Sequence, residues 1–129
     1  MRTMTLLTAL WLIALPLWGC TQKNIAAVVP QGNGPKTIEM TATSFGFSPN
    51  IIQTQPGDPL TIEVINTSDI EHNITVKDPE DRTLVSRDLP EGEVVEIVVP
   101  LETEGTYRFY CDMTMHTTLG MEGRIEAKR

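Results

Sequence analysis

Basic residues are scarce in this chain. Ten lysines and arginines stand against seventeen aspartates and glutamates in 129 residues, for a formal net charge of −7. Such a chain lacks the cationic surface that phosphate backbones and anionic lipid heads attract, which excludes nucleic acid as a partner and electrostatic adhesion to a bilayer. The balance suits a soluble partner with a positive patch, and most of the acids serve ordinary solubility.

Long apolar runs are missing too. Residues 6–18 are apolar but broken by Thr8 and Pro16, and they fall short of the roughly 20 residues that cross a bilayer. With Arg2 ahead of them they have the shape of a secretory signal. The run ends Leu17-Trp18-Gly19-Cys20, which resembles a bacterial lipobox, with Trp18 bulky for its place. Residues 1–20 are therefore expected to be a signal peptide with Cys20 as the lipidation site. This would place the mature chain in the periplasm or on the outer face of a membrane. Removing residues 1–19 takes Arg2 with them and leaves a net charge of −8. Residues 21–36 contain Pro30, Gly32, Gly34 and Pro35 without a sustained period, so they read as a flexible tether with a brief apolar patch at Ile25 to Val29.

No window of the remaining residues 37–129 holds a helical period. Short alternating runs bounded by Gly, Pro, Asn and Asp appear instead, which is the signature of strands. Ile38, Met40 and Ala42 alternate with polar residues, as do Leu60, Ile62 and Val64, then Ile74 and Val76, then Val95, Ile97 and Val99, then Tyr107 and Phe109, then Ile125 and Ala127. Residues 78–87 are charged and read as irregular. Seven or so such strands predict an all-β domain, an antiparallel two-sheet Greek-key β-sandwich.

Cysteine and histidine are down to two each. With Cys20 acylated, Cys111 is the only mature thiol, and a lone thiol in an oxidising compartment is reactive or bound. Cys111, His116 and Met121 follow one another at equal spacing near the end of the chain, and the other histidine is His72. Strand parity turns His72, Cys111 and Met121 toward the core with their apolar neighbours; His116 sits in mid-loop, where parity is silent. A thiolate and two imidazoles with a weak thioether form the donor set of a mononuclear blue-copper site. Zinc accepts the same thiolate and imidazoles, and the thioether tips the choice to copper. No general acid, general base or open coordination position is visible, so no enzymatic activity is expected.

The blocks Phe45-Gly46-Phe47-Ser48-Pro49, Gln55-Pro56-Gly57-Asp58, Asn66 with His72-Asn73, Gly105-Thr106-Tyr107-Arg108-Phe109-Tyr110-Cys111, His116 and Gly120-Met121-Glu122-Gly123-Arg124-Ile125 together resemble the cupredoxins, a family that includes plastocyanin, azurin and auracyanin. The resemblance implies a cupredoxin-like sandwich with one type 1 copper, bound equatorially by His72, Cys111 and His116 and axially by Met121. It implies an asparagine, Asn73, that hydrogen-bonds between the two ligand-bearing segments; its own parity points it outward as a plain polar strand residue. Met113, Met115 and Leu119 would rim His116 as the electron port. Where many members place Pro-Gly before the second histidine, this chain has Thr114-Met115. A dinuclear copper centre needs a second cysteine in this loop, and a multicopper oxidase needs more histidines. The expected function is a membrane-tethered, monomeric electron carrier that meets a redox protein, either a membrane complex or a soluble cytochrome. The alternative is a copper-delivery protein holding Cu(I). Two glycosylation sequons, at Asn66 and Asn73, are discounted beside a bacterial-type export signal.

Overall fold

The computed structural model describes residues 23–29, 32, 34, 36–114, 116 and 118–129. The signal segment and Cys20 lie outside the described residues. Ten strands form two sheets, with no helix among the described residues. One sheet holds β1 (Ala26–Val28), β4 (Ile51–Thr54), β10 (Glu122–Ala127), β9 (Gly105–Tyr110), β6 (His72–Lys77) and β7 (Thr83–Leu89), in that spatial order. The other holds β3 (Gly46–Ser48), β2 (Lys36–Thr43), β5 (Leu60–Asn66) and β8 (Val94–Val99).

The core lies between the sheets, and period-two alternation fills it. Leu60, Ile62 and Val64 point inward from β5 while Thr61, Glu63 and Ile65 are only partly covered. Tyr107 and Phe109 do the same from β9, and Ile125 and Ala127 from β10. Phe47 meets Phe109 edge-on across the core, with ring centroids 5.6 Å apart at 77°.

Three features differ from the expectation. Residues 26–28, placed in the tether, form β1 and pair in parallel with β4, and Val29 is buried beside them; a three-residue strand is too short to show a period. Residues 83–87, read as irregular, begin β7, an edge strand exposed along most of its length, so no alternation marks it. The sheets are mixed rather than purely antiparallel: β1 with β4, β10 with β4 and β2 with β5 run parallel.

On the outer face of the smaller sheet Glu63 lies directly opposite Glu39 on β2 and Glu96 on β8. Like charges facing one another across strands destabilise a sheet by up to ~1 kcal/mol per pair. Glu63→Thr is expected to stabilise the fold by an amount in that range, read as a higher urea midpoint, and to do so less at high salt.

The turn from β6 to β7 is held by Asp78. Its carboxylate is buried and accepts hydrogen bonds from the backbone N–H of Glu80 (3.0 Å) and of Arg82 (2.8 Å), and from Arg82 Nε (2.7 Å). It therefore anchors a turn and is not a freely solvated loop charge. Burial pushes its pKa up, but the Arg82 and Glu80 bonds outweigh this and hold it below the ordinary 3.8. A depressed carboxyl contributes stability that is present above its unfolded value and lost as the pH falls through its folded value. The stability gap between the wild type and Asp78→Asn is thus expected at pH 7 and should close in urea titrations carried below pH 3.8.

Candidate metal centre

Strand direction brings the four predicted ligands to one end of the sandwich. β9 is flanked by β6 and β10 and runs antiparallel to both. The start of β6, the end of β9 and the start of β10 therefore share one edge, and these carry His72, Cys111 and Met121. All three side chains are fully buried, whereas His116 is half-buried.

The loop between Cys111 and Met121 is closed by its own backbone. Cys111 N–H donates to the Met121 carbonyl (3.0 Å), and Met121 N–H donates to the His116 carbonyl (3.0 Å). His116 N–H donates to the Met113 carbonyl (3.1 Å). These bonds fold the loop back so that the His116 ring returns over the buried thiol. Thr114 is described and exposed, while Met115 and Thr117 lie outside the described residues.

One ligand atom from each of His72, Cys111 and His116 lies within 4.8 Å of the others. The two Nδ1 atoms are 3.2 Å apart, and Cys111 Sγ is 3.3 Å from His116 Nδ1. Nitrogens each about 2.0–2.1 Å from one ion can be no more than about 4.2 Å apart, and a nitrogen and a thiolate sulfur no more than about 4.4 Å. Both observed separations fall inside those limits, so His116 can share one ion with His72 and with Cys111. Met121 adds a buried thioether on a residue whose carbonyl accepts the Cys111 N–H. Burial, followed by the nearby His116, lowers the His72 pKa from 6.5, which favours the neutral ring that a metal needs.

Asn73 does point outward, as its parity predicts, yet it is buried. Its Oδ1 accepts from the Asp112 N–H at 2.8 Å, and its Nδ2 donates to Asp112 Oδ1. Thr75 Oγ1 also donates to Asp112 Oδ2 (3.3 Å). The β6–β9 register pairs Thr75 with Tyr110; continued by two residues, it sets Asn73 opposite Asp112. A hydrogen-bonded pair on the outer face thus ties the strand of His72 to the residue after Cys111. Sequence reasoning missed Asp112, though that register would have found it.

Two other contributors were missed. Ser68 places its Oγ 2.9 Å from His72 Nε2. Phe45, which is 53% exposed, meets the His116 ring edge-on at 6.3 Å. Leu119, 50% exposed, and partly buried Met113 stand on the same loop as His116 and are tied to it by backbone hydrogen bonds. Asn66 and Asn73 are both buried and hydrogen-bonded, which leaves neither amide open to glycosylation.

The Cupredoxin-like domain family model matches residues 8–121. The chain belongs to the cupredoxin-like family. It is 33% identical over 102 residues to the methylamine utilization protein MauL of Methylophilus methylotrophus, a stretch that is 78% of this chain and 57% of that protein. The chain therefore spans little more than half the length of that curated relative. Its fold is similar to reduced auracyanin from Roseiflexus castenholzii, with a TM-score of 0.65 at 20% identity, covering 74% of this chain and all of that one. It is also similar to the metal binding domain of the Cu(I) exporting ATPase CopA from Streptococcus pneumoniae, solved with Cu(I), with a TM-score of 0.63 at 20% identity, covering 83% and 99%. At these identities the two structures speak for a shared cupredoxin fold. The family and the donor cluster agree on copper as the cofactor of this cupredoxin-like chain.

Proposed function

We propose that this chain is an electron carrier holding one type 1 copper. His72, Cys111 and His116 are the equatorial ligands, and Met121 is the axial one. The observation that carries this reading is the meeting of two imidazole nitrogens and one thiol sulfur at a buried strand edge. Copper bound there supplies one-electron exchange between Cu(I) and Cu(II). The chain's own part is to keep the donors still. The closed loop fixes Cys111, Met121 and His116 by backbone bonds, and the Asn73–Asp112 pair clamps the strands beneath them. A site that does not rearrange between oxidation states exchanges electrons with a small barrier.

His116 is the ligand that reaches the surface; the Phe45 ring lies edge-on to it, and the apolar residues Met113 and Leu119 flank it in the loop. Such a patch lets a redox protein approach closely, and the acidic surface steers a partner with a basic rim. That partner is a membrane complex or a soluble cytochrome, met by a monomer. Export through residues 1–20 and lipidation at Cys20 would hold the carrier at the outer face of a membrane or in the periplasm. Detergent partitioning that is unchanged by Cys20→Ala would defeat the anchor.

Copper delivery is the second reading. Met113 stands in the loop between Cys111 and His116, partly buried against the hydrophobic core, as an additional soft side chain, and soft sulfur favours Cu(I). Protein-film voltammetry separates the two. A reversible one-electron couple with fast exchange is expected for the carrier, whereas irreversible or very slow exchange with tight Cu(I) binding would replace it with delivery.

A further inference from the structure

His72 has two ring nitrogens, and only one faces the cluster. Nδ1 lies 3.2 Å from His116 Nδ1, while Nε2 is turned away toward Ser68 Oγ at 2.9 Å. A neutral imidazole carries its proton on one nitrogen and a lone pair on the other, and the partner of the remote nitrogen decides which.

The surroundings of Ser68 settle where its own proton goes. Besides His72, its Oγ touches Asn66 Oδ1 at 2.7 Å and the Ile70 carbonyl at 2.9 Å. Both are oxygens that only accept. The identity of Asn66 Oδ1 is fixed in turn: the amide's other end lies 2.8 Å from the carbonyls of Ile70 and of Leu89, so that end must be the donating NH2. Asn66 Oδ1 also accepts the Ser68 backbone N–H at 3.0 Å. Asn66 is buried, and each of these partners is a polar group it satisfies.

The single hydroxyl proton of Ser68 must therefore go to a carbonyl oxygen. Were it given to His72 Nε2, two oxygen–oxygen contacts of hydrogen-bond length would have no proton between them. With the proton on an oxygen, Ser68 Oγ is left as an acceptor, and His72 Nε2 must be the donor. We infer that Ser68, oriented by Asn66, is a positioning residue that locks His72 in the Nε2–H tautomer and aims the Nδ1 lone pair at the cluster formed with Cys111 and His116. The inference rests on the copper reading for its purpose, though not for its geometry.

The path runs further. Asn66 closes β5 in the smaller sheet, while Leu89 closes β7 in the larger one. The Asn66–Leu89 bond thus joins the two sheets beside the cluster, and the His72 ring is referenced to both. Because the acceptor is a side-chain hydroxyl oxygen, a single substitution can remove it without touching the backbone.

The test is side-chain nitrogen–proton correlation NMR on the 15N-labelled full chain, apo and loaded with Cu(I), above the ordinary imidazole pKa, with copper affinity measured alongside. Wild-type His72 is expected as the Nε2–H tautomer with a slowly exchanging proton. Ser68→Ala should lose the slow exchange and mix the tautomers, and copper affinity should fall by about 10–100-fold, the usual effect of deleting a partner of a ligating histidine. Ser68→Thr keeps a hydroxyl and should restore both. Unchanged dispersion of the backbone amides shows that each variant is folded. An Nδ1–H tautomer in the wild type would overturn the inference, and so would a Ser68→Ala chain that keeps the tautomer, the slow proton and the affinity. A wild type with the Nε2–H tautomer and its Ser68 dependence, but no copper–thiolate band, would sink the copper reading and leave the Ser68 assignment standing.

Discussion

Cys111→Ser should abolish the intense visible band of the Cu(II)-loaded protein and leave only weak absorption. The band needs a thiolate bound to copper, and Cys111 is the thiol that the fold delivers to the two histidines. A serine hydroxyl in its place is neither soft nor ionised at neutral pH. Sγ is fully buried and small, so the exchange to Oγ changes volume little and the apoprotein should stay folded. Circular dichroism on the metal-free variant checks that the loss is chemical. A strong band surviving in Cys111→Ser would mean that copper sits elsewhere.

Phe109→Ala should cost the apoprotein about 3–5 kcal/mol, the range for deleting a buried aromatic side chain. Phe109 is fully buried on β9, two residues before Cys111, and its ring stacks edge-on against Phe47 from the other sheet. Gly123 of β10 packs so closely on its edge that an added Cβ there would overlap the Phe109 ring and the Asn50 carbonyl. Nothing small can refill that space without moving both sheets. At roughly 4–8 °C per kcal/mol for a domain of this size, calorimetry should show a fall of at least ten degrees or so. A shift of only one or two degrees would mean that the core collapses freely around the gap. Because Phe109 and Cys111 share a strand face, the same variant should also loosen the copper site and broaden its spectrum.

The four candidate ligands stand out in the sequence through two simple patterns, strand parity and even spacing. His72 lies on the face of Ile74 and Val76, and Cys111 on the face of Tyr107 and Phe109, and all of these are buried. The even spacing of Cys111, His116 and Met121 then supplied the chemistry. The two-sheet sandwich followed from the same alternation in β5, β9 and β10. What escaped has physical reasons. β1 has only three residues, and β7 lies at an edge where neither face is well covered. Parallel and antiparallel neighbours alternate alike, so the pairing of β2 with β5 left no mark in the sequence. The hydrogen bonds of Ser68 and Asp112 depend on which loops the sheets bring together, and a polar residue in a loop carries no period.

Asn73 is instructive because both of its sequence readings meet in one residue. Parity placed it on the outer face, and the resemblance gave it a bond between the ligand-bearing segments. The structure has it outward and buried at once, because Asp112 covers it from the neighbouring strand. A polar residue on an outer face can therefore still belong to the site.

The central claim is one copper held by a thiolate and two imidazoles at the buried end of the sandwich. Titration of the purified apoprotein with Cu(II), followed at the visible thiolate-to-copper band and by electron paramagnetic resonance, tests it most directly. The band should rise to a sharp end point at one equivalent, bleach on reduction and return on reoxidation. A colourless complex at one equivalent, or an end point reached only with a second copper, would contradict it.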